Sequence, residues 1–330
     1  MPPVLADPIE ATATTPAAEQ AGALAVIMVP TFRRPAMLAK TLASLASQDA
    51  AFPFFVIVVD NDAKDQEGLA LARSVFSKGG LNGIAVVESR QGNCHAINRA
   101  FAVARATQPG ARYFLMIDDD ESASPAWLRL MVETCETHDV DVVGGPVEPV
   151  FEQPAPADIA SHPVFWPAFR ASGPVPMIYG SGNFLIRRES LDRLALPEFD
   201  VLFNFLGGGD TDFFTRCRLA GFLFRWVAEA RIEEVVPAAR MASGWILRRG
   251  LRTGAINYLI DRRHAAPGLG FWRVQAKNLV ILPLSFWRAL RTLLHGGGPL
   301  QVAHPVIVAL GRISASLGFE TEQYRAKPGA

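Results

Sequence analysis

Hydrophobic positions in the first half of the chain fall in short unbroken runs, and after each run the apolar residues recur every three or four positions. Residues 23–30 (ALAVIMVP) form the first run, and residues 35–46 follow with Met37, Leu38, Leu42 and Leu45 at helical spacing. The order predicts strand, loop, helix. It repeats, with strands at 54–59 and 84–87 and helices at 68–76 and 94–106. Buried strands alternating with helices imply βαβ units and a largely parallel sheet, in which ligands gather at the carboxyl ends of the strands. Polar residues stand at those ends here, beginning with Asp60-Asn61-Asp62.

Further along, 113–117 predicts a strand that runs into Asp118-Asp119-Asp120-Glu121. A helix at 126–135 and a strand at 140–143 follow. The Pro-rich stretch 146–176 predicts a long loop with little regular structure. Residues 179–187 read as a strand, and 210–220 as a helix after Gly207-Gly208-Gly209. From Pro237 the chain is helical, interrupted at Pro267-Gly268 and at Gly296-Gly297-Gly298, and no internal repeat is visible. The expected organisation is a disordered leader over 1–22, an α/β domain over 23–235 and a helical extension over 236–330.

Composition changes this picture mainly at the tail. The 330 residues carry 32 Lys and Arg against 32 Asp and Glu, but residues 1–235 hold a net −10 and residues 236–330 a net +10. Only 19% of residues are charged and the mean hydropathy is +0.18, so some apolar surface meets something other than water. The basic tail interleaves Arg with aromatic residues, as in Phe271-Trp272-Arg273 and Phe286-Trp287-Arg288, which is the composition of a membrane-surface helix rather than of a nucleic-acid site. Pro283 interrupts its most apolar stretch and is expected to prevent one long spanning helix, so the tail lies on an anionic bilayer instead of crossing it. No Lys or Arg precedes Arg33, so the N-terminus lacks the basic region of a secretory signal. Cys94, Cys135 and Cys217 form no CxxC pair, which supports neither a disulfide framework nor a zinc site and fits a reducing compartment.

Four acidic side chains in a row cannot all be buried, and their repulsion is tolerable only in water or beside a cation. Carboxylates without nearby His or Cys suit Mg²⁺ or Mn²⁺, which keep positions open for phosphate oxygens. A solvated acidic turn is the plainer alternative. Asp60 reads equally as a helix cap, and either Asp210 or Asp212 as the N-cap of the helix after the triple glycine.

Taken in order, VIMVPTFRRP from Val26, VVDND ending at Asp62, the 90–98 segment, FLMIDDDE ending at Glu121, the strand near Gly180 and GGDTDFFTRCRLAG from Gly208 resemble the inverting family 2 glycosyltransferases. TFRRP with VVDND and IDDDE is most similar to bacterial exopolysaccharide glucosyltransferases of the succinoglycan type. The resemblance covers about 24–235 and implies the nucleotide-sugar-binding fold called GT-A. It implies that Pro30, Thr31, Phe32 and Arg34 line a uridine pocket, that Asp60 and Asn61 contact the base, and that Arg90 and Asp119 belong to the nucleotide site. Asp118 and Asp120 correspond to the DxD pair, which implies that Asp120 holds a divalent cation, Mn²⁺ or Mg²⁺, and that Asp118 contacts the ribose or the metal. Asp210 corresponds to the base that deprotonates the acceptor hydroxyl, while Gly182, Asn183, Gly209 and Asp212 correspond to the donor and acceptor sugar floor. Gly209 replaces the acidic residue that commonly precedes the base, and Ile97 replaces an Arg.

Arg248 and Arg249 are candidates for a pyrophosphate contact. The segment around them lacks the Q-x-x-R-W of processive relatives, which disfavours polymer synthesis. The implied activity is transfer of one sugar from a UDP-sugar to a lipid-linked saccharide, by a protein peripheral to the inner face of the cell membrane, with no nucleic-acid partner. Two alternatives stay open. One is a nucleotidyltransferase, which TFRRPAM disfavours by lacking glycine; the other is a non-catalytic carbohydrate- or membrane-binding module.

Overall fold

A computed structural model describes residues 22–318, so apart from Gly22 the expected leader lies outside the described residues. The chain divides into two compact units. Among the described residues the first holds 22–147, 169–204 and 213–233, and the second holds 148–168, 205–212 and 234–318.

In chain order the elements are β1 (Ala25–Thr31), α1 (Pro35–Ala46), β2 (Phe54–Asp60), α2 (Glu67–Ser77), β3 (Gly83–Val87), α3 (Asn93–Thr107) and β4 (Tyr113–Met116). Next come β5 (Glu121–Ala123), α4 (Trp127–Thr137), β6 (Val142–Gly144) and β7 (Val147–Phe151), then α5 (Ala157–Ala160), β8 (Gly173–Val175), β9 (Phe184–Arg187) and α6 (Arg188–Leu191). The chain continues with α7 (Gly209–Leu219), β10 (Phe224–Trp226) and β11 (Ile232–Val236). An eight-stranded sheet runs β3-β2-β1-β4-β9-β6-β10-β8. It is mostly parallel; only β9 and β8 pair antiparallel to their neighbours.

Every residue of β1 is buried, as an unbroken apolar run in a strand covered on both faces requires. Pro35 starts α1 in the position where a missing N–H costs nothing, and the helix packs Leu38, Leu42 and Leu45 into the core at three- and four-residue spacing. Thr31 of β1 stands level with Asp60 of β2, and Asp60 with Val87 of β3, so the polar residues after three strands reach one edge together.

Three local expectations need correction. Residues 146–176 are not a structureless loop: they contain β7, α5 and β8. Pro149 sits in β7, which ends a three-stranded sheet, and Pro174 in β8, which ends the large one; edge strands tolerate a residue that cannot donate. The strand expected over 179–187 begins only at Phe184. Asp210 and Asp212 lie inside the first turn of α7, which starts at Gly209, and not at its N-cap.

In the second unit α8 (Ser243–Arg263), α9 (Leu269–Leu294) and α10 (Pro299–Ser316) pack together. Pro283 does not break α9, which continues through it for 26 residues. One lost hydrogen bond on an exposed turn is outweighed by those on either side. Gly254 of α8 and Gly311 of α10 bring these two helices into main-chain contact, because a β-carbon at either would overlap backbone of the other helix, Val308 or Leu251. Arg312 of α10 is almost wholly enclosed, donating to Asn278 of α9 (2.8 Å) and Asp261 of α8 (2.6 Å). No helix among the described residues is long and apolar enough to cross a membrane.

Candidate active site

The carboxyl ends of β1, β2, β3 and β4 carry the residues singled out above for a nucleotide and a cation. The acidic run after β4 is sorted by alternation. Asp119 and Glu121 turn inward and are 6% and 3% exposed, whereas Asp118 and Asp120 stay partly open. Asp119 is a strut: Thr31 Oγ1 donates to its Oδ2 at 2.7 Å, and the Phe32 N–H reaches the same oxygen at 3.4 Å. Burial pushes the Asp119 carboxyl above the usual aspartate range, against the pull of Thr31 and Arg34. Glu121 closes the turn by accepting the Asp118 N–H at 2.8 Å, and its carboxylate occupies the space that a β-carbon at Gly182 would need.

Arg34 bridges the inward Asp119 and the partly open Asp120, donating to Asp119 at 3.3 Å and to Asp120 at 2.8 Å. Desolvation disfavours its charge, but Asp119 and Asp120 outweigh that and raise its pKa. Positive charge is therefore already drawn to the mouth of the acidic run. Two hard carboxylates at that mouth, with no imidazole or thiolate, suit Mg²⁺ or Mn²⁺. Among the described residues no three His, Cys, Asp or Glu side chains form a cage for an ion on their own, so Asp118 and Asp120 would need oxygens from a ligand to complete a shell.

Two further arginine pairs stand beside it, and of their four members sequence reasoning singled out only Arg90 as a site residue. Arg33, at φ +55°, donates to Asp62 at 2.8 Å and lies 5.0 Å over the ring of Phe32, itself 37% exposed. That pairing holds the Asp62 carboxyl below the usual range. Arg90 grips Glu88 with two bonds of 2.9 Å; burial would raise Glu88, but Arg90 outweighs it and keeps the carboxyl low. The signal available in the sequence was a charged residue just past each of three strand ends: Arg33 after β1, Asp62 after β2, and Glu88 with Arg90 after β3.

Pro30 is buried inside β1, paired with Val59, so of the expected uridine pocket only Phe32 and Arg34 present exposed surface. Asp60 and Asn61 serve the fold. Asp60 accepts the backbone N–H groups of Asp62 (2.9 Å) and Leu69 (2.8 Å), thereby capping α2 from a distance. Asn61 donates to the Glu88 and Arg90 carbonyls and accepts the Gly92 N–H at 2.7 Å, fastening β2 to the loop after β3. Asn183 is likewise committed: its amide donates to the Pro146 and Ala230 carbonyls and accepts the Trp127 indole N–H.

The remaining candidates belong to the second unit. Asp210 is partly open, with its Oδ1 accepting the Thr211 N–H at 2.8 Å. Gly209 precedes it as the first residue of α7. Asp212 has no exposed surface; His264 Nε2 lies 2.8 Å from its Oδ1 and Arg263 at 3.5 Å. An enclosed carboxylate bound in this way anchors the start of α7 to the end of α8, which corrects the expectation that it faces a sugar. Arg248 and Arg249 lie exposed on α8.

Residues 26–195 match the model of the family described as glycosyl transferase family 2. The succinoglycan biosynthesis protein ExoM of Rhizobium meliloti (strain 1021) is 31% identical over 325 residues, covering 91% of this chain and 96% of that protein. Among solved structures, the mannosyltransferase PcManGT from Pyrobaculum calidifontis, in complex with GDP-Man and Mn²⁺, aligns over 95% of this chain and 92% of its own at 18% identity, with a TM-score of 0.61. S. aureus TarS 1-349 aligns over 89% and 92% at 16% identity, with a TM-score of 0.50. At such identities the two structures speak to the fold alone, and that fold is GT-A.

Proposed function

The chain belongs to glycosyl transferase family 2 and is a glycosyltransferase, and on that premise we propose that it moves one sugar, with inversion, from a UDP-sugar to a hydroxyl of a lipid-linked saccharide. The membership sets aside the nucleotidyltransferase and the non-catalytic module. Likeness to a protein named for succinoglycan biosynthesis supports a place in exopolysaccharide synthesis.

The observation that carries the donor reading is the open pair Asp118 and Asp120 at the end of β4, with Arg34 drawn across it. A divalent cation held by these two carboxylates would supply neutralisation for the charge that gathers on the departing diphosphate. The chain's own cations act in the same sense. Arg33, Arg34 and Arg90 keep well-exposed guanidinium groups at the same edge, from which they can add contacts to phosphate oxygens. Phe32 offers a ring face to the base. Asp210 takes the proton of the acceptor hydroxyl as that oxygen attacks the anomeric carbon. A protein peripheral to the inner face of the cell membrane meets its acceptor there, and the basic tail supports that location.

Thermal shift and hydrolysis of a panel of UDP- and GDP-sugars, with and without Mn²⁺, test the reading. One UDP-sugar should stabilise the protein, and only with metal. Asp120→Asn should remove the metal-dependent part of UDP affinity, and Asp210→Asn should keep donor binding while transfer falls by about 10²–10⁴-fold. Metal-independent UDP binding, a preference for GDP-sugars, or transfer by Asp210→Asn at the wild-type rate would each overturn the corresponding assignment.

A further inference from the structure

Helix α9 is amphipathic the wrong way round for a helix in water. Its buried positions are Gly270, Val274, Asn278, Ser285 and Ala289, spaced by four and seven along one face, and they are small or polar. The opposite face carries its bulk apolar residues: Trp272, Leu279, Phe286, Trp287, Leu290 and Leu294, of which Leu279 is 80%, Trp272 68% and Trp287 62% exposed. An apolar stripe this long on one helix is not tolerated uncovered by an ordinary soluble surface.

We propose that α9 docks on an anionic lipid bilayer, lying in the plane of the interface with the Trp272–Leu279–Phe286 stripe among the acyl chains. The charge pattern selects this occupant. α9 contains Arg273, Lys277, Arg288 and Arg291 and not one acidic residue, and at 100° per residue these four fall within a narrow arc along one flank of the stripe. Basic side chains beside a Trp- and Leu-rich face are placed to reach lipid phosphates while their stems stay in the apolar layer. The 26 residues span about 39 Å along the surface, long enough to engage many headgroups at once. The inward face also explains why the helix stays fastened to its unit while its apolar side is turned out: Asn278 accepts from Arg312 at 2.8 Å, and on the flank Lys277 is tied to Asp261 at 2.6 Å, which leaves the headgroups to Arg273, Arg288 and Arg291.

This deepens the membrane reading above and rests on it, and vesicle sedimentation of the full chain separates the two. Wild type should bind phosphatidylcholine vesicles containing phosphatidylglycerol, bind pure phosphatidylcholine weakly, and lose binding as salt rises. The double variant Trp272→Ser/Trp287→Ser should lower partitioning at least about tenfold. Arg273→Gln/Arg288→Gln/Arg291→Gln should lower the anionic preference by about fivefold per charge. Both variants should hydrolyse the donor sugar in solution at the wild-type rate, which reports intact folding. Variants that bind as wild type does would overturn the assignment to α9 and leave the membrane reading standing. Wild type that ignores both vesicles would overturn both, and if it then sediments as a dimer that Trp272→Ser/Trp287→Ser dissociates, the face is a contact between two copies.

Discussion

The sheet unit and the helical unit solve the problem of an interior in opposite ways. In the first, the interior is apolar side chain: β1 is buried along its whole length, and α1 turns Leu38, Leu42 and Leu45 onto the sheet. In the second, glycine, asparagine, serine and two enclosed arginines, Arg252 and Arg312, share the space between helices with Ile246, Tyr258, Ile260 and Val274, while the leucines and tryptophans of α9 face out. The contrast teaches that hydrophobic content alone does not locate a core. Where an apolar face has a non-aqueous neighbour, packing inside falls to close approach and hydrogen bonds.

Four measurements sharpen or break this contrast. The largest effect is expected at Leu42: Leu42→Ala should cost about 2–5 kcal/mol in urea unfolding, whereas Leu279→Ala on α9 should stay within about 0.5 kcal/mol. Comparable costs would erase the distinction. Next, Arg312→Met should cost about 1.5–3 kcal/mol, since it removes two charged hydrogen bonds from the helical interior. A gain in stability would mean that the arginine is tolerated rather than needed. Gly254→Ala, a single added methyl against the Val308 carbonyl, should cost about 1–3 kcal/mol, read as a fall in melting temperature.

The smallest effect is in acid, where partly buried histidines, including His95 of the sheet unit, respond at higher pH than the paired carboxylates. His162 and His304 lie 4.8 Å apart in the helical unit, and burial lowers His304 from 6.5 to about 4 and His162 in the same direction. The folded state then binds fewer protons than the unfolded state between those values, so stability falls as pH drops through that window. In the sheet unit Asp62 and Glu88 are held low by Arg33 and Arg90, so their contribution is complete above the ordinary carboxylate range and is lost only below it. His304→Gln should reduce the upper limb of the stability–pH curve, leaving the share of His162 and His95, and should leave the lower limb unchanged, as followed by circular dichroism.

The sequence made the strands of the sheet legible because β1 to β4 are unbroken apolar runs ended by polar residues, a pattern with few other readings. It concealed β7 and β8 because their prolines argue against strands in general and are compatible with edge strands in particular, a position that only pairing reveals. Pro283 misled for a related reason: the cost of a proline depends on what the rest of the helix contributes. At the site, the acidic run was visible as chemistry, but not its division. That Asp119 and Glu121 face inward while Asp118 and Asp120 stay open follows from bonds to Thr31 and to the Asp118 N–H, made by residues up to 88 positions apart. Asn61, Asn183 and Asp212 were read as ligand contacts from the family resemblance alone, and in the fold each has partners brought in from distant segments.

The meeting of Gly254 and Gly311 carries a consequence for how this protein can diverge. Most cores drift by exchanging one aliphatic residue for another of similar volume, with neighbours adjusting over generations. A contact made of main chain has no side chain to exchange, so the α8–α10 seam offers almost no neutral steps. The outward face of α9 is constrained only in kind, since any large apolar residue serves there. Among descendants of this chain the helical unit should therefore vary most on its surface-exposed leucines and tryptophans and least at its two smallest residues, the reverse of the usual relation between size and constraint.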